Sequence, residues 1–424
     1  MTKPVYYNFF WRWHFYAGLI VTPVVLVMAL TGATYLLQPQ IENLAYKDLI
    51  YLEENISEKP NHDAIIEAAK KHFDAKRINS YQPPATLNQS AQVVLTSQGG
   101  SKITAFIHPK TLAPLGKVDE SWRLMNIARN LHKNLMLGDV GRIITELAAC
   151  WLIVMILTGF YLWWPRGNKD RGTLIPNTKT KGRKIWREFH AVSGAWVGFW
   201  LLLLLLSGLP WSFVWGGLLS DFSTRAKEGF PKAIFKERPM SVSSSDLPEV
   251  SMNQIFQTIS KQNINHAFKI DYPWWEKGSY ALMPLRHGGD AKNVAYIFFD
   301  RKSGEILNQY RFADLGKVGR LTSLGVSFHE GRLFGKANQL LNLTAVILLL
   351  MLMITGFTMW WKRKPYKSLG APSLPDNVKL PKRIIALIIL VGFLLPLFGV
   401  SVFLIWMGKK ILKKFRQFFI QKPY

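Results

Sequence analysis

Residues 132–164 read HKNLMLGDVGRIITELAACWLIVMILTGFYLWW, and residues 329–361 read HEGRLFGKANQLLNLTAVILLLMLMITGFTMWW. The two stretches lie 197 positions apart and align without a gap. Each begins with a histidine and ends with Thr-Gly-Phe and a tryptophan pair. Since an apolar run of about 20 residues crosses a hydrocarbon core of ~30 Å, the pair predicts two equivalent transmembrane helices.

A second pair of stretches repeats in the same way. Residues 10–37, FWRWHFYAGLIVTPVVLVMALTGATYLL, align with residues 186–213, WREFHAVSGAWVGFWLLLLLLSGLPWSF, at a shift of 176 positions. This alignment places His14 on His190 and Gly18 on Gly194. Repeats this long indicate a duplicated membrane unit, not a solenoid of short repeats.

Five segments reach bilayer length: Phe15–Leu37, Leu147–Trp164, Ala191–Leu209, Leu340–Trp361 and Ile384–Trp406. No small-residue cleavage site follows the first, so it is interpreted as a spanning helix and not as a signal peptide. The predicted fold is an α-helical integral membrane protein with two parallel repeats of two transmembrane helices. A fifth C-terminal hydrophobic helix follows. Because it contains Gly392, Pro396 and Gly399, a re-entrant hairpin stays open beside the favoured crossing helix.

The net charge of +26 is concentrated in loops beside the apolar segments. Eight Lys or Arg and one Asp lie between Pro165 and Arg187, and seven against one Asp lie between Lys362 and Arg383. Because basic loops stay on the cytoplasmic side, these loops and the amino terminus are predicted to be cytoplasmic. The same clustering argues against nucleic acid as a partner and for the lipid bilayer.

The expected order of segments follows from this topology. Two folded α+β modules are predicted outside the membrane, because helical spacing in Asp63–Phe73 and Met252–Ser260 accompanies four predicted strands. Those strands are Gln92–Thr96, Ile103–His108, Tyr280–Pro284 and Val294–Asp300. Trp122–Leu135 is predicted to be an interfacial helix that carries His132. The predicted segments are helix 1 (1–37), outer module 1 (38–130), helix 2 (131–165), a cytoplasmic loop (166–186), helix 3 (187–209), outer module 2 (210–328), helix 4 (329–361), a cytoplasmic loop (362–383), and helix 5 with a basic tail (384–424).

Four of the nine histidines occupy repeat-equivalent positions. Parallel repeats place equivalent residues at equal depth, so His14 pairs with His190 at the cytoplasmic end and His132 with His329 at the outer end. Imidazole suits haem iron, copper and zinc, but zinc takes further ligands that the nearby helices do not offer. Cys150 is the only cysteine, which excludes an internal disulfide, and no CxxCH motif is present for covalent haem. Two histidines without other ligands fit a low-spin haem b, so two haems are expected.

The residues around the histidines permit two interpretations. Gly18 and Gly194 leave room for a flat macrocycle, or they serve helix packing. Basic residues are candidates for haem propionates, or they anchor the helices at the interface; they are Arg12, Arg129, Lys133, Arg142, Arg187, Arg332 and Lys336. Glu146 is interpreted as a helix cap, a partner of Arg142 or a functional carboxylate. The other histidines, at positions 62, 72, 108, 266 and 287, are interpreted as surface residues.

The motifs WRWHFYAG, LHKNLMLGDVGRIITEL, LTGFYLWWP, WREFHAVSGAW and ITGFTMWWKRKP resemble the PepSY-associated transmembrane family across residues 8–365. Some members of that family are inner-membrane ferric-siderophore reductases with two haems. The resemblance implies PepSY-like modules in both outer loops, a Gram-negative inner membrane and haem b. On the matching positions it implies His14, His132, His190 and His329 as the haem ligands.

The expected function is therefore a transmembrane electron conduit that reduces a periplasmic ferric siderophore or another ferric chelate. No GxGxxG dinucleotide fingerprint is present, so the electrons are expected from membrane quinol or a cytoplasmic flavoprotein. Two other functions stay open. PepSY-type modules are also associated with peptidase inhibition, which suggests a membrane-tethered regulator. Parallel repeats suggest a haem or siderophore transporter.

Overall fold

The computed structural model describes residues 3–165, 173–242, 248–285, 291–364, 368–371 and 380–420. Four helices in these ranges are long and apolar enough to cross a membrane: Val5–Leu36, Gly138–Trp163, Arg183–Trp211 and Gly335–Trp361. They confirm the first four predicted spans, and the protein is a multi-pass membrane protein. His287 and parts of both predicted cytoplasmic loops lie outside the described residues.

In chain order the helices are α1 (Lys3–Leu36), α2 (Gln38–Ala45), α3 (Lys47–Ile50), α4 (His62–His72), α5 (Leu124–Asn134), α6 (Gly138–Trp163), α7 (Arg183–Gly208), α8 (Val214–Arg225), α9 (Lys232–Phe235), α10 (Met252–Ser260), α11 (Lys317–His329), α12 (Gly335–Trp361), α13 (Lys382–Leu394) and α14 (Pro396–Ile420). The strands are β1 (Ala75–Gln82), β2 (Ala91–Ser97), β3 (Lys102–Ile107), β4 (Pro114–Asp119), β5 (Phe268–Asp271), β6 (Tyr280–Pro284), β7 (Ala295–Phe299) and β8 (Ile306–Arg311).

The chain divides into two compact units. The first, called the helical unit below, comprises Met1–Ala33, Asn130–Leu219 and Leu340–Tyr424. The second, called the sheet unit, comprises Thr34–Arg129 and Ser220–Gln339.

Close backbone approach within the helical unit depends on a glycine. A Cβ on Gly198 of α7 would lie 2.8 Å from the ring of Phe160 on α6, closer than real contacts allow. Val197 and Leu201 of α7 are buried nearby in sequence. Small residues at helix contacts are expected in a membrane, where tight packing replaces the hydrophobic driving force.

The fifth hydrophobic segment is two helices and not one, so the prediction of a single fifth helix is wrong. Helix α13 ends at Leu394, Leu395 has non-helical backbone (φ −125°, ψ 81°), and α14 begins at Pro396. The physical reason is the proline, which has no N–H and disfavours helical backbone in the residue before it. The indole of Trp215 donates to the freed carbonyl of Leu394 at 3.0 Å.

The carboxy-terminal helices pack on the rest of the helical unit through α6. The indole of Trp151 on α6 donates to the hydroxyl of Ser401 on α14 at 3.1 Å. Its ring meets Phe398 edge-on, with centroids 4.8 Å apart. The segment after the family-like repeat is therefore anchored to the second spanning helix.

The sheet unit contains one eight-stranded antiparallel sheet with the order β4-β3-β2-β1-β5-β6-β7-β8. Each outer segment contributes four consecutive strands, and the two sets join where β1 pairs with β5 through Ser80 with Asp271 and Tyr81 with Ile270. Helices α4 and α10 contribute Ile65 and Ile255 to the core against the sheet.

Helices α4 and α10 cap each other's amino termini. The Asp63 carboxylate accepts from the backbone N–H groups of Met252 at 2.6 Å and Asn253 at 3.0 Å. In return the Asn253 side chain accepts from the backbone N–H of His62 at 2.8 Å. These bonds satisfy donors that have no partner inside a helix.

Most predicted elements of the outer segments are confirmed. The two predicted helices correspond to α4 and α10, the four predicted strands to β2, β3, β6 and β7, and the interfacial helix to α5. The central strands β1 and β5 were not predicted. Strand β1 reads AKRINSYQ, which lacks a regular alternation of apolar and polar residues, so it forms because its neighbours supply the pairing.

Candidate functional site

The structure brings His14 and His190 together inside the helical unit. His14 lies on α1 and His190 on α7, and their ring centroids are 6.4 Å apart with planes at 87°. This is the pair that the two repeated stretches predicted to share one end of the membrane.

Both imidazoles present the same ring nitrogen to a threonine of a neighbouring helix. Nδ1 of His14 lies 3.1 Å from the Thr158 hydroxyl, and Nδ1 of His190 lies 3.1 Å from that of Thr355. Nδ1 of His190 also lies 3.0 Å from the carbonyl oxygen of Leu352.

The hydrogen-bond network assigns the tautomer of both rings. The hydroxyls of Thr158 and Thr355 each donate to a carbonyl of their own helix at 2.8 Å, so their oxygens are left to accept. Nδ1 of His190 must then be the donor, because the Leu352 carbonyl oxygen also faces it, and the Thr158 hydroxyl favours the same tautomer in His14. The lone pair is on Nε2, which is the usual arrangement for a histidine that binds a metal.

The separation of the two rings fits a single metal ion between them. With metal–nitrogen bonds of about 2 Å and ring centres about 1 Å beyond each nitrogen, two opposed imidazoles have centroids roughly 6 Å apart. In the part of the chain that the structure describes, no three His, Cys, Asp or Glu side chains cluster as a metal site. Two imidazoles would suffice to hold a haem iron, whereas a zinc site takes three or four protein ligands.

His132 and His329 are each placed within their own unit. His132 lies on α5, with Nδ1 2.8 Å from the carbonyl oxygen of Met28 on α1. A Cβ on Gly32 would lie 3.0 Å from Cε1 of His132, so the glycine permits this approach. His329 is the last residue of α11 in the sheet unit. The predicted pairing of these two histidines stays a prediction.

The space beside Gly18 and Gly194, the two repeat-equivalent glycines, is filled by neighbouring helices. A Cβ on Gly18 would lie 3.3 Å from the methyl carbon of Met155, and one on Gly194 would lie 3.6 Å from Leu352. These contacts account for both glycines by helix packing. Clearance for a macrocycle stays a prediction.

The basic residues near the histidines have local partners. Arg187 pairs with Glu188 at 2.9 Å and Arg332 with Glu330 at 2.9 Å. Arg142 pairs with Asp139 at 3.4 Å and lies 4.5 Å from the ring centroid of Phe213. The guanidinium of Arg12 lies 5.4 Å from the ring of Tyr16. These contacts suit interfacial anchoring, and propionate binding stays a prediction for these arginines and for Arg129, Lys133 and Lys336.

Glu146 is a helix cap, one of the three roles that the sequence left open. It is 2% exposed, and its carboxylate accepts from the backbone N–H groups of Val214 at 2.7 Å and Trp215 at 2.9 Å. These are the first residues of α8, whose amino-terminal N–H groups favour an anion.

The interpretation of the other histidines as surface residues is wrong for His62 and His266, each 9% exposed. Nδ1 of His62 lies 2.8 Å from the hydroxyl of Tyr81, and its ring stacks on Phe256 at 3.6 Å. Nε2 of His266 accepts from the backbone N–H of Ala295 at 3.1 Å. Both side chains are buried because the sheet and helices supply their hydrogen bonds, which sequence spacing does not reveal.

A sequence profile of the PepSY-associated TM region matches residues 11–363. The chain belongs to the PepSY-associated transmembrane family. Comparison with curated proteins gives no match. The family match covers both helix pairs and both outer segments of this PepSY-associated transmembrane protein, and it ends before α13.

Sequence reasoning missed Thr158, Thr355, Gly159 and Gly356. A Cβ on Gly159 would lie 3.4 Å from Cε1 of His14, and one on Gly356 the same distance from Cε1 of His190. In this PepSY-associated protein the threonine and glycine of each Thr-Gly-Phe triplet therefore contact one histidine. The signal was present, because both triplets recur in the repeat at equivalent positions.

Proposed function

We propose that this protein is a haem b electron conduit of a bacterial inner membrane that reduces a periplasmic ferric chelate, with ferric siderophore as the expected substrate. The observation that carries the proposal is the His14–His190 pair, whose ring centroids lie 6.4 Å apart and whose Nδ1 atoms each meet a threonine hydroxyl. A regulator that only binds a peptidase needs no such pair inside a membrane.

The second site follows from the sequence repeat. His132 and His329 occupy equivalent positions of the repeated stretches 132–164 and 329–361. With two parallel repeats, an amino terminus in the cytoplasm and PepSY-like modules outside, these two histidines are the ligands nearer the periplasm. Nδ1 of His132 lies 2.8 Å from the Met28 carbonyl oxygen, so its ring meets a backbone carbonyl as His190 does.

Haem bound at both sites would supply one-electron couples that link the two faces of the membrane. The protein residues hold the imidazoles in one tautomer and surround the inner pair with apolar helices. An electron that reaches the chelate converts Fe(III) to Fe(II), which hard oxygen ligands bind less well, so the metal is released. Quinol or a cytoplasmic flavoprotein supplies the electron, because the chain has no dinucleotide fingerprint of its own.

The direct test is the haem content of the purified protein. We expect two b-type haems per chain in a pyridine haemochrome assay, extractable by acidified acetone because the chain has no cysteine pair to hold them covalently. The exposed His72→Ala variant is the matched control and should keep both haems. One haem per chain would contradict the two-site proposal, and colourless protein would favour the peptidase regulator.

The pairing of ligands is tested by single substitutions. His14→Ala and His190→Ala should each remove the same haem, because each substitution removes one of the two imidazoles that would hold its iron. His132→Ala and His329→Ala should each remove the other. Reduced-minus-oxidised spectra at low temperature distinguish the two haems. If His14→Ala and His132→Ala abolish the same spectral component, the assignment by equal depth is wrong.

A further inference from the structure

A five-residue pattern occurs four times in the spanning helices. Each copy has an apolar residue first, a hydroxyl residue fourth and glycine fifth; the copies are MALTG (28–32), MILTG (155–159), LLLSG (204–208) and LMITG (352–356). In every copy the hydroxyl donates back to a carbonyl of its own helix, at 2.6 Å for Thr31, 2.8 Å for Thr158 and Thr355, and 2.9 Å for Ser207.

Three copies hold a histidine from another helix in the same way. The first-position carbonyl faces Nδ1 in two of them, Met28 with His132 at 2.8 Å and Leu352 with His190 at 3.0 Å. The third copy, residues 155–159, contacts His14 through its fourth and fifth positions. The fifth-position glycine lies against Cε1 of the same ring, where a Cβ would come within 3.0 to 3.4 Å. In two copies the fourth-position hydroxyl also faces Nδ1, at 3.1 Å.

We propose that this pattern is a histidine seat, in which a carbonyl and a hydroxyl oxygen fix Nδ1–H and the glycine fixes the ring against the helix. The proposal rests on the proposed haem function, because the seat matters when Nε2 binds iron. A partner for Nδ1–H raises the basicity of a ligating imidazole and sets its orientation. Loss of such a partner typically weakens metal binding or activity by roughly 10- to 100-fold. The threonines are positioning residues.

Ordinary helix packing does not account for this arrangement. Small residues at helix contacts meet whatever side chain the opposite helix presents, as Gly198 meets Phe160. In the three seats the contacting residue is each time a histidine, and the contact uses the same positions of the pattern. The fourth copy, residues 204–208, is the repeat equivalent of the first, at a shift of 176 positions.

The hydroxyl is tested with Thr158→Val and Thr355→Val, which keep the side-chain shape and remove the acceptor. The reduction potential of the inner haem should shift to more positive values, because a less basic imidazole stabilises Fe(III) less. The low-spin electron paramagnetic resonance signal should shift as well, and haem loss to apomyoglobin should speed up by roughly 10- to 100-fold. Thr158→Ser should restore the wild-type values.

The matched control is Thr344→Val on α12. Its hydroxyl makes the same back-bond, to Leu340 at 2.9 Å, but it is exposed and bonds no imidazole. It should leave potential, signal and haem loss unchanged. If Thr158→Val and Thr355→Val also behave like the wild type, the seat proposal is wrong while the haem function stands. A wild-type protein without haem would instead overturn the proposed function.

The glycine is tested at the other pair of histidines. Gly32→Ala should perturb or remove the haem that His132→Ala removes, because the new Cβ would press on the ring. Gly217→Ala is the control, since a Cβ there meets nothing within 4 Å. An unchanged haem spectrum in Gly32→Ala would refute the seat at this position.

Discussion

Individual histidines in this protein differ by the hydrogen-bond partner that the fold gives to Nδ1. In the spanning helices, Nδ1 of His14 and of His190 meets a threonine hydroxyl, and the Leu352 carbonyl oxygen also faces His190. In the sheet unit His62 instead meets Tyr81 and stacks on Phe256. Burial lowers the pKa of His62 to about 4, although the Asp63 carboxylate raises it in part.

The depressed pKa of His62 makes a prediction about stability and pH. In the unfolded chain the imidazole has a pKa near 6.5, and in the folded protein its pKa is about 4. Between these two pH values the unfolded state therefore binds a proton that the folded state does not. Stabilisation of up to about 3 kcal/mol is present above pH 6.5 and is lost as pH falls towards 4. Thermal unfolding midpoints in detergent, measured from pH 7 to pH 4, should fall accordingly.

His62→Phe should be less stable at pH 7, because it leaves the Tyr81 hydroxyl without its partner, but its unfolding midpoint should fall less between pH 6.5 and 4. His72→Gln, an exposed change on the same helix, should keep the wild-type slope. Equal slopes in wild type and His62→Phe would show that His62 does not carry the pH dependence.

Helices in this chain are defined at their ends by residues that are distant in sequence. The carboxylate of Glu146, on α6, caps the amino terminus of α8. Asp63 and Asn253 cap α10 and α4 reciprocally. At the C-terminus, Pro396 separates α13 from α14, and the indole of Trp215 satisfies the released carbonyl of Leu394.

Removal of the Glu146 cap should destabilise the helical unit. Glu146→Ala leaves two backbone N–H groups without an acceptor and should cost about 1–3 kcal/mol. Glu146→Gln keeps one acceptor oxygen and should cost less. The measurement is the unfolding midpoint in detergent, with the haem spectrum expected to stay unchanged.

Asp139→Ala provides the control for Glu146, because this carboxylate lies on the same helix but is 72% exposed in its ion pair with Arg142. Its unfolding midpoint should stay near that of the wild type. A Glu146→Ala protein that unfolds at the wild-type temperature would argue against the cap. Loss of haem in Glu146→Gln at full stability would return the residue to the functional interpretation.

At the scale of the whole molecule, four spanning helices and a folded sheet unit give a membrane protein with a large part outside the apolar helices. The proposed conduit needs both histidine pairs, since the two ends of a span are ~30 Å apart and electron transfer weakens steeply with distance. The haem nearer the periplasm should therefore be the donor to the chelate.

This order of transfer is tested with protein reduced in advance and mixed with a ferric siderophore in stopped flow. Wild type should be reoxidised, and the His132→Ala and His329→Ala variants should lose the reaction while they keep the inner haem's spectrum. His14→Ala should give one rapid oxidation of the outer haem but no steady turnover from quinol. Wild-type reoxidation rates in the His132→Ala and His329→Ala variants would exclude the outer haem as donor and favour a transporter or regulator.

The sequence by itself determined the four spans, because the length of an apolar run is a local property of the chain and the bilayer sets the length required. The repeat of the histidines also predicted that His14 and His190 lie together, and their ring centroids are 6.4 Å apart. Helices α4 and α10 were predictable because their apolar spacing is local as well.

The hydrogen bonds of the candidate site and the pairing of the central strands depend on the tertiary structure, because the residues that make them are distant in sequence. The hydroxyl that faces His14 belongs to a residue 144 positions away, and the hydroxyl that faces His190 to one 165 positions away. Strand β1 forms by pairing with β2 and β5, and β5 by pairing with β1 and β6. A hydrogen bond between distant segments leaves no periodic pattern in either of them, so which imidazole nitrogen is engaged, and by what, appears only when the helices are packed.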